Sequence, residues 1–138
     1  MGISMLRFAP MYAGLLAILI IFLGYRVTVF RRAEKKSTEQ TDCSVAMRCA
    51  IRAHANALEN VPLALLLLLM LELNHLNPIL TNILGSMLVL GRVMHAWGLS
   101  RVDGLSTGRF YGTILTWLSI LGMAVLNIWI ILLRPFVI

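Results

Sequence analysis

Hydrophobic positions gather into four long runs, at residues 8–25, 57–73, 79–99 and 110–133, with most polar positions in the stretches between them. None of the runs alternates with the period of a half-buried strand. Each is close to the ~20 residues with which an α-helix crosses about 30 Å of hydrocarbon. Backbone groups in lipid must find partners within their own segment, which selects helices over open strands. The pattern predicts an all-α integral membrane protein, a bundle of four transmembrane helices, with residues 1–138 forming one domain.

The polar stretches carry their own signals. "RRAEKKSTEQTDCS", residues 31–44, lacks apolar periodicity and reads as a flexible linker. Ser44 stands where an N-cap belongs, ahead of the helix-forming "VAMRCAIRAHANALENVP", so the second helix should start outside the hydrocarbon and run into it. Asn77-Pro78 and Asp103-Gly104 mark the other two turns. Pro62 has no N–H and its ring pushes at the carbonyl of Leu58, which predicts a kink there.

Composition agrees with this reading: 59% of residues are hydrophobic and 13% charged, with a mean hydropathy of +0.86. The net charge of +6 would suggest nucleic acid if it were spread over a soluble surface. Instead Arg26, Arg31, Arg32, Lys35, Lys36, Arg48 and Arg52 lie between the first two runs, and Arg92, Arg101 and Arg109 bracket the last turn. The outer "ELNHLNP" has no Lys or Arg. No nucleic-acid partner is expected. The positive-inside rule places the first and third loops in the cytoplasm and both termini outside. The first basic cluster follows the first run and no small-x-small site precedes it, so a retained span is expected rather than a cleaved signal. Cys43 and Cys49 have neither metal-ligand nor disulfide spacing, and no metal site is expected.

Aromatic and small residues read first as structural. Trp97, Trp117, Trp129, Tyr12, Tyr25 and Tyr111 lie mostly near run ends, where interface anchoring accounts for them. Gly85, Ser86, Gly91, Ser119, Gly122 and Ala124 suit close helix packing.

The chemistry concentrates where the second helix enters the membrane. On a helical wheel Arg48, Arg52, Asn56 and Glu59 fall within about 80° of one another, while His54 lies about 200° from Arg52. Glu59 stands inside an apolar run, where a charge costs several kcal/mol unless it is matched. The third helix offers Arg92 and His95 at the same depth, and Arg92, buried by position, needs an anion, for which Glu59 is the nearest candidate. Arg109 opens the fourth helix beside them. Guanidinium forks on carboxylates, an amide and one carboxylate for an ammonium suit a small polyanionic zwitterion. Apolar walls beside them suit a second, greasy ligand.

"RAHANALENVP", followed by "GRVMH" and by "GR" at the start of the fourth helix, resembles the MAPEG superfamily (membrane-associated proteins in eicosanoid and glutathione metabolism). The resemblance covers nearly the whole chain. It implies a homotrimer that binds glutathione as co-substrate at subunit interfaces on the cytoplasmic side. Arg52, Asn56, Glu59, Arg92 and His95 match the family's glutathione-binding positions, and Arg109 is the nearest match to its thiolate-stabilising arginine. Arg26 and Arg31, at the end of the first run, are further candidates for the glutathione carboxylates, or are left to lipid head groups if those carboxylates go unbound. A thiol with a pKa near ~8.5 is drawn toward the thiolate by a neighbouring guanidinium. Leu99 stands where the animal eicosanoid enzymes carry a tyrosine, and Arg48 where many relatives carry a glutamate.

The expected function is therefore a bacterial inner-membrane glutathione transferase or peroxidase-like protein. It would conjugate glutathione to hydrophobic electrophiles or reduce lipid hydroperoxides. The alternative is a non-catalytic lipid-binding or scaffold protein of the same fold, in which the Arg–Glu network only holds the assembly together.

Overall fold

The computed structural model describes residues 6–36, 44–101 and 106–133, and every regular element among them is an α-helix. In chain order these are α1 (Phe8–Lys36), α2 (Val45–Leu73), α3 (Pro78–Arg101) and α4 (Thr107–Leu133), alternating in direction. All four are long and apolar enough to cross a membrane. The Asp103-Gly104 turn, Cys43 and Arg134 lie outside the described residues.

The first two helices are longer than their apolar runs. At 29 residues each they reach about 43 Å, well beyond a hydrocarbon core of about 30 Å. The linker expectation is corrected accordingly. Residues 31–36 continue α1, because Arg, Ala, Glu and Lys are good helix formers that need no apolar face to extend an established helix. Ser44 caps α2 as expected, its side chain accepting from Met47 N at 3.2 Å, and its own N–H donates to the Glu34 carboxylate of α1 at 2.8 Å. At the next turn Asn77 Oδ1 accepts from Ile79 N at 2.9 Å, and Pro78 opens α3. α2 runs through Pro62 without interruption, and the space beside that ring is an apolar groove of about 400 Å³ shared with Pro10 and Ala13 of α1.

α2 and α3 are the inner pair. α1 packs on both of them and α4 packs on both from the other side, while α1 and α4 do not meet among the described residues. In α2 the buried positions Ala50, Ala53, Ala57, Val61, Ala64, Leu68 and Leu71 recur at steps of three and four, the stripe of a helix facing neighbours on one side. The small end of that stripe lies toward the basic side, where His54 packs over Gly24 of α1, whose added Cβ would meet its ring nitrogen at 3.2 Å. That puts His54 on the far side of α2 from Arg52, as the wheel requires.

Apolar burial gives little drive between helices in lipid, so packing and interhelical hydrogen bonds must hold the bundle. Several are present. Tyr12, 4% exposed, places its hydroxyl 3.0 Å from the Asn82 carbonyl and 2.7 Å from Ser86 Oγ. It is a buried tie between α1 and α3, which corrects its reading as an interface anchor. Gly85 is what admits the ring, since a Cβ there would sit 2.2 Å from it. Ser119 donates to the Leu84 carbonyl at 2.8 Å, and Asn127 donates to Leu67 O at 3.1 Å. At the end away from the basic loops, Glu72 accepts from the N–H groups of Arg7, Phe8 and Ala9 at 2.6, 2.9 and 2.7 Å. A carboxylate on α2 thus caps the first turn of α1 with favourable charge for that helix end.

Candidate functional site

The site depends on how closely α3 and α4 approach. Gly91 and Gly98 on α3 face Gly108, Gly112 and Thr116 on α4. A Cβ at Gly98 would lie 2.3 Å from Arg109 N, and one at Gly112 would lie 2.5 Å from His95 N. These are backbone contacts that no rotamer can relieve, so glycine is required at both places. The seam brings His95 and Arg109 together from different helices. His95 Nδ1 lies 2.9 Å from Thr113 Oγ1 and 3.3 Å from the Arg109 carbonyl, and the Thr113 hydroxyl donates to that same carbonyl at 2.8 Å. With the hydroxyl proton so used, Nδ1 is the donor toward Thr113.

Arg92 is buried, 3% exposed, and its partners correct the expected Arg92–Glu59 pair. Nε donates to Thr116 Oγ1 at 3.1 Å, and Nη1 donates to Asn56 Oδ1 at 2.7 Å and to the Asn56 carbonyl at 3.3 Å. The guanidinium projects sideways from α3 between α2 and α4. Neutral oxygens meet it there, while Glu59, one turn along α2, is exposed. Because its Oδ1 is turned onto Arg92, the Asn56 amide presents its N–H end to the other side.

On that side lies a polar cleft of about 220 Å³ lined by Arg52, Ala55, Asn56, Glu59, His95, Leu99 and Arg109. Five of the residues expected from the sequence therefore meet on one concave surface. The others do not join it. Arg92 stands behind Asn56 and orients it, Arg26 lines a separate groove between α1 and α3, and Arg31 is exposed on the polar extension of α1. Thr113 and the glycines 98, 108 and 112 were missed at the level of sequence, although "GRFYG" spells the G-x-x-x-G signal for close helix approach. Arg109 also borders a second, apolar groove of about 330 Å³ along α4, with Phe110, Ile114 and Trp117. One guanidinium thus stands between a polar cleft and a greasy one.

Comparison with known proteins agrees in extent with this architecture. The model of the MAPEG family matches residues 9–129, which takes in all of α2 and α3 and most of α1 and α4. The inner membrane protein YecN of Escherichia coli K12 is 32% identical over 121 residues, which covers 88% of this chain and 90% of YecN. YecN of the O6:H1 strain aligns with the same identity and coverage.

Proposed function

The chain belongs to the MAPEG family, and from that premise and its polar cleft we propose that it is a glutathione-dependent transferase or peroxidase-like protein of the bacterial inner membrane. The observation that carries the reading is the convergence of Arg52, Asn56, Glu59, His95 and Arg109 on one cleft at the basic end of an otherwise apolar bundle. Arg52 and the amide N–H end of Asn56 suit carboxylates, Glu59 suits an ammonium, and Arg109 suits a thiolate. Glutathione carries all four groups. Its thiolate, the thiol proton having passed to water, attacks the electrophilic carbon of a hydrophobic partner, forming the C–S bond as a leaving group departs or a conjugated double bond takes the electron pair. On a lipid hydroperoxide it attacks the terminal oxygen and the O–O bond breaks, releasing the lipid alcohol; a second glutathione then converts the resulting sulfenic acid to glutathione disulfide and water. The apolar groove on the other flank of Arg109 is where such a partner would lie. With the basic loops inside, the cleft faces the cytoplasm. The cleft is open at the side in one chain, which suits closure by a neighbouring copy in a homotrimer.

Calorimetric titration of the detergent-purified protein with glutathione tests this directly. Saturable binding that is lost in Arg52→Ala is the expected result. An absence of binding at millimolar glutathione would reject the transferase reading and leave a lipid-binding or scaffold role for the fold.

A further inference from the structure

A groove of about 290 Å³ runs between α1 and α3 on the face of the bundle away from α4. Its walls are carbon: Phe22 and Leu23 on α1, and Val93, Ala96 and Trp97 on α3. The one charged group lining it is Arg26, which follows directly on the apolar run ending at Tyr25. The groove therefore spans the depth at which hydrocarbon gives way to head groups. Trp97, more than half exposed, lies at the same level near the end of its own run, where tryptophan prefers to sit.

We infer that this groove is a binding site for a phospholipid with an anionic head group, its acyl chain lying between α1 and α3 and its phosphate on Arg26. A small soluble anion would leave the apolar walls uncovered, since Phe22, Val93 and Trp97 are exposed, whereas an acyl chain covers them. Sign and position select the head group. The Arg26 guanidinium lies with its central carbon 5.8 Å from the centre of the Phe30 ring, an arrangement that holds the fork in place, and a guanidinium fork matches two phosphate oxygens. Arg31, Arg32 and Lys35 follow on the same polar extension of α1 and are exposed. A choline or ethanolamine ammonium beside them is repelled, while a glycerol head group is not. One cation at the membrane surface enriches an anionic lipid about fivefold. The inference assigns Arg26 to lipid and is independent of what the polar cleft binds.

The test uses full-length protein carrying Trp117→Phe and Trp129→Phe, so that Trp97 reports alone, in phosphatidylcholine vesicles. A minor fraction of the lipid carries brominated acyl chains, either as phosphatidylglycerol or as phosphatidylcholine. Brominated phosphatidylglycerol should quench Trp97 more strongly than brominated phosphatidylcholine, with an apparent local enrichment of about fivefold. Arg26→Gln should abolish the preference, and Val93→Phe, which fills the groove without adding a second reporter, should weaken it. Arg32→Gln, outside the groove, should keep it. Equal quenching by the two lipids in the parent protein would overturn the proposal. So would loss of the preference in Arg32→Gln as complete as in Arg26→Gln, since that would mark a diffuse surface attraction rather than a site.

Discussion

At the scale of single residues, Arg92 shows how neutral oxygens can hold a buried cation. Its Nε and Nη1 are satisfied by Thr116 and Asn56, and each hydrogen bond to a charged group is worth about 1.5–3 kcal/mol where it forms. Asn56 gains orientation from the exchange: with Oδ1 committed, only its N–H end is offered to the cleft. Arg92→Leu should therefore weaken glutathione binding about tenfold although Arg92 does not line the cleft, and should lower thermal stability in detergent. Arg92→Lys keeps the charge but reaches one partner in place of two, so an intermediate loss is expected. A double-mutant cycle with Asn56→Ala checks the coupling. If Arg92 acts through Asn56, the double variant binds no worse than Asn56→Ala alone. Independent, additive losses would mean that Arg92 meets the ligand itself.

At the scale of elements, the α3–α4 seam decides whether the cleft exists. Gly112→Ala places a methyl 2.5 Å from His95 N and 2.7 Å from the Gly91 carbonyl, so the helices must part. A cost of about 1–3 kcal/mol is expected, read as a lowered midpoint of thermal unfolding, together with loss of glutathione binding as His95 and Arg109 separate. Gly14→Ala on α1 is the control: nothing lies within 4 Å of its Cβ position, and stability should be unchanged or slightly higher. The same seam explains what the sequence does and does not make legible. Four apolar runs announce four helices, because hydrocarbon thickness fixes their length. The stripe of Arg52, Asn56 and Glu59 is legible because it lies on one helix, where a wheel suffices. Contacts between helices are a different matter. Hydropathy does not distinguish Tyr12 at an interface from Tyr12 bonded to Asn82 and Ser86, nor Glu72 as a loop acid from Glu72 capping α1. Arg92 is interior, as its place in an apolar run requires, but an amide and a hydroxyl from two other helices meet it in place of the acid. Lys35 and its neighbours extend α1 where composition alone suggested a linker.

At the scale of the whole molecule, polarity is segregated. One end of the bundle is tied by Glu72 to the first turn of α1, its middle is apolar with isolated ties such as Ser119 to Leu84, and its basic end opens into the cleft. Glu59 is the group on which the transferase and scaffold readings divide. It is exposed on the rim in one chain, and Arg92 is bound elsewhere, so within the subunit it does not serve as the counter-ion of the buried arginine. The two readings give it different partners, an ammonium of a bound ligand or a cation on a neighbouring copy. Glu59→Gln preserves shape and removes the charge, and the loss of a charged hydrogen bond worth about 1.5–3 kcal/mol corresponds to ten- to hundredfold. If Glu59 serves the ligand, glutathione affinity falls by that factor while the mass of the assembly, measured by light scattering in detergent, does not change. If it serves the assembly, the mass falls and the transferase reading loses the carboxylate it depends on.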